Sequence, residues 1–353
     1  MNLKETSMSL STFQIGLLGL GLVTLVAVWG YNRWQSHRLS PRQARPEAAT
    51  QEPHIEPAGL ADPVEPVLED SFDPLPQPDR KVQLDALIDA LATVELDQPV
   101  SGDAVLAAMP ATRRVGTKPF AVEGCLAQSG HWGPIVVGER YSALQCGVQL
   151  ANRVGPINEI EYSEFVVKTQ ALAEALGGSV VCAEMLQEVA RGRELDQFAS
   201  AHDAQLSFTL VARAAAWSPG YIHQHASRLG FVAGAIPGRM VLASPSPGLP
   251  PVLSLSFDTQ AALAEDPEHT AVRALVISLD VPQVPSEEQP FARMRDAART
   301  LAQQMDGVIT DGAGTELTDE VQEQIAQDLL RLYHALAERE LHAGSLLARR
   351  LFA

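Results

Sequence analysis

Aromatic side chains are scarce in this sequence. Phe, Trp and Tyr make up 5% of it, against 46% hydrophobic residues overall, so a core must be assembled mostly from Leu, Val, Ala and Ile. Cysteine is rarer still. Cys125, Cys146 and Cys182 are odd in number, far apart and in no C-x-x-C pattern, which excludes a disulfide framework or a zinc site and fits a reducing cytoplasm. Basic residues are in deficit, with 26 Lys and Arg against 43 Asp and Glu. The net charge of −17 argues against nucleic acid as a partner and against the soluble part lying flat on anionic lipid.

Catalytic signatures are missing as well. No G-x-S-x-G, G-x-x-x-x-G-K-[ST], H-E-x-x-H or G-x-G-x-x-G occurs. His223 and His225 are two apart on an expected helix, so they point to different sides and do not share a metal. Gly312 and Gly314 read as turn glycines, and the acidic pairs Glu265-Asp266 and Glu287-Glu288 as solvated loop residues. No nucleophile is paired with a base at readable spacing. The chain therefore reads as a non-enzyme, with no catalytic, cofactor or metal site and no small-molecule substrate.

What is present begins with a long apolar run, Phe13 to Tyr31. No charge occurs between Glu5 and Arg33, and Gln14 and Thr24 are the polar side chains in the run. Nineteen residues at about 1.5 Å rise span roughly 28 Å, close to the hydrocarbon core of a bilayer. A helix satisfies its own backbone groups in lipid, so residues 13–31 are expected to form one transmembrane helix. A cleaved signal peptide or a buried core helix are the alternatives; Val-Ala-Val-Trp-Gly-Tyr after Leu25 offers no signal-peptide cleavage site of the usual kind. Lys4, balanced by Glu5, precedes the run, whereas Arg33, Arg38, Arg42 and Arg45 follow it. The positive-inside bias then puts residues 1–12 outside, in the periplasm, and everything after the helix in the cytoplasm. Trp29, Tyr31 and Trp34 suit an aromatic belt at the inner interface.

Residues 32–80 start basic and turn Pro-rich and acidic. Nine prolines fall in Pro41–Pro78, and nine acidic residues without Lys or Arg in Glu47–Asp79. Such a stretch buries too little apolar surface to offset ordering and is expected to be a disordered linker. Folded signals start at Val82. Leu84–Leu96 fits strand or helix on local pattern. A short helix over Ser101–Met109, strands at Phe120–Leu126, Gly133–Val137 and Leu144–Leu150, a helix over Ser163–Leu176 capped by Gly177-Gly178, a strand at Ser179–Cys182 and a helix over Glu184–Ala199 follow. The order then recurs: strand Leu206–Ala212, helix Gly220–Leu229, strands Val232–Leu242, Val252–Phe257 and Leu275–Val281, helix Phe291–Met305, strand Val308–Thr310 and a final helix capped by Thr318. LAEALGGSV at Leu172–Val180 falls on LAQQMDGVI at Leu301–Ile309 with an offset of 129. The expectation is a duplicated α+β domain, residues 81–202 and 203–340, with 341–353 as a tail. One larger domain whose elements share an order is the alternative.

The second half carries Leu229-Gly230-Phe231, Leu253-Ser254-Leu255, Val281-Pro282, Phe291, Met294, Ala298, Leu301-Ala302, Gly307, Asp311 and Leu317-Thr318 in that order. Over Leu206–Leu336 this resembles the C-terminal FtsZ-binding domain of the ZipA cell-division family, whose members also have one N-terminal membrane helix and a Pro-rich linker. The resemblance implies an antiparallel six-stranded sheet with helices on one face and the other face open. It also implies binding of the FtsZ C-terminal peptide on that open face, and tethering of the Z ring to the inner membrane at the division site. The partners are then the FtsZ C-terminal peptide and, through residues 13–31, the lipid bilayer. A membrane-anchored scaffold for other division or envelope proteins is the competing reading. If Leu206, Phe208, Leu210, Leu255, Phe257, Leu275, Ile277 and Leu279 face the helices, the exposed face carries Thr209, Val211, Ile236, Val252, Ser254, Ser256, Val276 and Ser278 as the partner-binding set. That face is polar beside those of the family, as is the face of the first half, with Gln145, Gly147 and Gln149 outward. An apolar patch of Ile236, Val252 and Val276 places the peptide site in the second half.

Overall fold

The computed structural model describes residues 41–44 and 84–353. The apolar run 13–31 and most of the linker lie outside the described residues. Among those described, no helix is long and apolar enough to cross a membrane.

Alternation of apolar and polar residues builds two antiparallel sheets. The first contains β1 (Asp89–Ser101), β2 (Arg114–Val115), β3 (Lys118–Leu126), β4 (Trp132–Pro134), β5 (Arg140–Gln149) and, after the small ribbon β6 (Ala151–Asn152) with β7 (Gly155–Pro156), β8 (Gly178–Cys182). Its order is β2-β3-β5-β1-β8, with β4 on β3. Helices α1 (Gly102–Ala108), α2 (Glu159–Leu176) and α3 (Met185–His202) accompany it. Ile88, Ala90, Ala92 and Val94 pack with Leu144, Cys146 and Val148 against Phe165 and Leu172 of α2.

The second sheet has order β10-β11-β12-β13-β9-β14. Its strands are β9 (Gln205–Ala212), β10 (Phe231–Ala233), β11 (Arg239–Leu242), β12 (Leu253–Phe257), β13 (Ala274–Asp280) and β14 (Gly307–Thr310). Helices α4 (Pro219–Arg228), α5 (Thr259–Ala262), α6 (Pro290–Met305) and α7 (Asp319–Glu338) belong with it, and α8 (Leu346–Leu351) ends the chain. Phe208, Leu210, Leu255, Phe257, Leu275 and Ile277 join Met294, Ala298 and Leu301 in a second core. In both sheets the first strand lies between the last strand and the final strand of the meander: β1 between β8 and β5, and β9 between β14 and β13. The offset of 129 aligns Gly177, the left-handed C-cap of α2, with Asp306, the left-handed C-cap of α6.

One open alternative is decided and three expectations are corrected. Leu84–Leu96 resolves into turn and strand, because Ala90, Ala92 and Val94 alternate with Leu91 and Thr93 across a sheet. Val232–Leu242 is not one strand: Gly234 and the positive-φ Gly238 turn it into the hairpin β10–β11. Residues 341–353 are not a tail. Leu341, Ala348, Leu351 and Phe352 are buried in the first core, although they follow the second sheet. Pro41–Ala44, expected within a structureless linker, is in place too, with Arg42 paired to Trp217.

Candidate functional site

The inner face of the second sheet is covered by helices, and the outer face is where a partner has room. Pairing register fixes what it displays. Val232, Val241, Ser254, Ser278 and Ser207 form one row across β10, β11, β12, β13 and β9. Arg239, Ser256, Val276, Thr209 and Thr310 form the next, and Ala274, Val211 and Val308 a third. Most are half-buried. The hydroxyls are partly satisfied within the sheet: those of Ser254 and Ser278 share a hydrogen bond at 2.8 Å, and that of Thr310 donates to the Thr209 backbone carbonyl at 3.2 Å.

One end of this face deepens into a cleft of about 600 Å³. Val252, Ser254, Ser278, Ser207, Gln205, Asp280 and Arg239 supply its floor and near wall, while Arg153 and the chain end, Phe352 and Ala353, supply the far side. Arg153 sits in the β6–β7 turn and reaches Asp203 at 2.6 Å and Asp280 at 2.7 Å. Those two bonds, Asp280 first, hold its guanidinium above the ordinary value. The charge is therefore taken up in joining the β6–β7 ribbon to Asp203 and to Asp280 of β13, and Arg239, exposed on β11, is the cation that faces outward.

Six expected site residues are brought together: Thr209, Val211, Ser254, Ser256, Val276 and Ser278 share the outer face in adjacent rows. Two are not on it. Ile236 lies in the β10–β11 turn, 53% exposed and off the sheet. Val252 is buried just before β12, its N–H donating to the Leu242 carbonyl at 2.8 Å, and meets the outside only as cleft wall. Arg239 was missed because its strand and the turn before it read as one apolar run. Arg153 and Phe352 carry no local signal; they arrive from more than fifty residues away along the chain. His223 and His225 do diverge: one ring meets Phe257 and the other Gln304 Oε1 at 2.9 Å.

Residues 262–328 match the family model of ZipA, C-terminal FtsZ-binding domain. The matched span runs from the end of α5 through β13, α6 and β14 into α7, and it supports an FtsZ-binding cell-division protein similar to ZipA. Among solved structures, berberine bridge enzyme from Eschscholzia californica is similar at 10% identity over 74% of this chain and 51% of that one, with a TM-score of 0.14. A variant of that enzyme bound to (S)-reticuline gives the same values. The chain thus spans about half the length of those structures, and likeness at that TM-score carries no argument about fold or activity. No curated protein matches.

Proposed function

We propose that this chain is a bitopic inner-membrane cell-division protein that tethers FtsZ polymers to the cytoplasmic membrane and supports septum assembly. Residues 13–31 anchor it, the residues after them lie in the cytoplasm at the division site, and the outer face of β9–β14 receives the FtsZ C-terminal peptide. The observation that carries the reading is an uncovered sheet face, two of whose strands, β13 and β14, lie in the residues that match the FtsZ-binding family. A sheet covered on one side offers an extended or amphipathic peptide a platform whose rows are two residues apart. We also infer that residues 81–202 and 203–340 are tandem copies of one design. The matching order of β3-β5-β1-β8 and β12-β13-β9-β14 and the aligned left-handed helix caps support this.

The rows of Ser and Thr bury less apolar area than Leu or Ile would, at about 25 cal/mol per Å², so binding is expected to be weak. The test is titration of the full-length protein in detergent with the FtsZ C-terminal peptide. The double variant Ser256→Arg with Val276→Asp should cost about 2 kcal/mol, roughly thirtyfold in affinity. Thr93→Arg on the first sheet should leave binding unchanged. Absence of binding by the unaltered protein at high micromolar peptide would favour the scaffold reading.

A further inference from the structure

Pro41–Ala44 lies along the edge of the second unit. The Arg42 N–H donates to the Ala216 carbonyl at 2.7 Å, and the Ser218 N–H donates to the Arg42 carbonyl at 2.9 Å. Arg42 thereby adds a parallel bridge to Trp217, whose other side is paired with Val272. The guanidinium then reaches the end of α6. Nη2 meets the Asp306 carboxylate at 2.9 Å, and Nη1 donates to the Met305 carbonyl at 3.2 Å. A helix C-terminus is suited to a cation, since its last carbonyls lack intrahelical partners and its dipole is negative there. The acceptor is fixed in place: the Met305 carbonyl also takes the buried Trp217 indole N–H at 2.8 Å. In the first unit the position equivalent to Asp306 is Gly177, which has the same left-handed backbone and no carboxylate.

We propose that the Ala216–Ser218 edge and the end of α6 form a docking site for an extended, arginine-bearing segment. Its occupant is this chain's own Pro41–Ala44, and the docking clasps the second unit near the membrane. The clasp rests on the reading of residues 13–31 as an anchor. Pro41 lies ten residues beyond Tyr31, a stretch that reaches at most about 35 Å. Measured instead to Leu84, 53 residues beyond Tyr31, the tether reaches about 180 Å when extended. Docking thus sets how far below the bilayer the FtsZ-facing unit travels. The side chains of Arg42 and Asp306 keep 36% and 45% of their exposure, so salt screens the contact and opens the clasp.

The Ser218 amide reports on docking without being altered itself. Hydrogen exchange on the full-length protein should show it protected, with exchange about tenfold faster in Arg42→Glu, the scale of losing a charge-assisted bond. Arg42→Lys should fall between, and Asp306→Asn should loosen Ser218 while α6 stays protected. Ser218 exchange unchanged by Arg42→Glu would overturn the proposal. In vesicles carrying a headgroup acceptor dye, energy transfer from a donor placed at Glu265 should drop in Arg42→Glu; equal transfer would overturn the membrane-distance role. Failure of the unaltered chain to float with vesicles would remove the anchor reading alone, because the Ser218 measurement in detergent still decides the docking.

Discussion

The two sheets share a four-strand order, β3-β5-β1-β8 in one and β12-β13-β9-β14 in the other, yet their outer faces are used differently. On the first, Leu84 fills the notch left by Gly147, where an added Cβ would lie 2.3 Å from Leu84 Cδ2. The Leu84 N–H donates to Glu123 Oε1 at 2.9 Å. Farther along the same face Asp89 is fully buried beneath Arg350, at 2.6 Å, and Gln149 donates to the Arg350 carbonyl at 2.6 Å. On the second sheet the corresponding side shows half-buried Ser, Thr and Val. One platform is sealed in part by the chain's own segments, while the other carries the rows of hydroxyls and valines proposed to receive a partner. Sealing has an electrostatic cost. Burial pushes the carboxyls of Asp89 and Glu123 above their ordinary range, with Arg350 pulling Asp89 back down.

The comparison breaks most completely if the seal is removed. Ending the chain at Glu340 strips Leu341, Leu351 and Phe352 from the first core, a loss of about 6 kcal/mol at 1.5–3 kcal/mol for each buried side chain. That is comparable to the whole stability of a domain. Hydrogen exchange should then show β1, β3 and β5 open while β12 and β13 stay protected; retention of protection in both sheets would refute the dependence.

Arg350→Ala acts on the same face more selectively. It leaves the buried Asp89 carboxylate unpaired, which should cost about 3–5 kcal/mol at neutral pH. The sign of the pH dependence follows from the raised carboxyls. Stability from a carboxyl whose folded pKa is raised is fully present below its unfolded value, 3.8 for Asp89 and 4.5 for Glu123, and is lost as pH rises through the folded value. The first unit should therefore weaken from mildly acidic to neutral pH, and more steeply in Arg350→Ala. Urea midpoints across that range should flatten in Asp89→Asn. A variant cost that is the same at every pH would contradict this.

Gly147→Ala is the mildest of the three. Its methyl meets the mobile end of Leu84, not backbone, so about 1–3 kcal/mol is expected, with faster exchange of the Leu84–Ile88 amides. The useful result is whether FtsZ-peptide binding then appears on the first face as well, which would make the seal the reason for the asymmetry.

Much of this was legible locally. The alternation in Leu206–Ala212, Val252–Phe257 and Leu275–Val281 gave the correct inner face, because side-chain direction in a strand has a period of two. Ser101 and Thr318 cap helices as their positions implied, each accepting a backbone N–H. The β10–β11 turn was hidden because Ala235, Ile236 and Pro237 between the two glycines continue an apolar run. With it went the placement of Ile236 and the exposure of Arg239. Val252 failed for another reason: it precedes the paired strand, so the parity of β12 does not govern it.

By itself, the sequence determined which side of each strand is apolar, where helices begin, and that two similar sets of elements follow one another. These are short-range properties, set by residues within a few positions of each other. Tertiary structure alone decided what covers each face. Leu351 and Phe352 enter a core whose first strand begins at Asp89, Arg153 joins Asp203 to Asp280, and Arg42 reaches Asp306. Each contact pairs an unremarkable residue with a partner 50 to 264 positions away, and no periodicity along the chain encodes a meeting that only folding brings about.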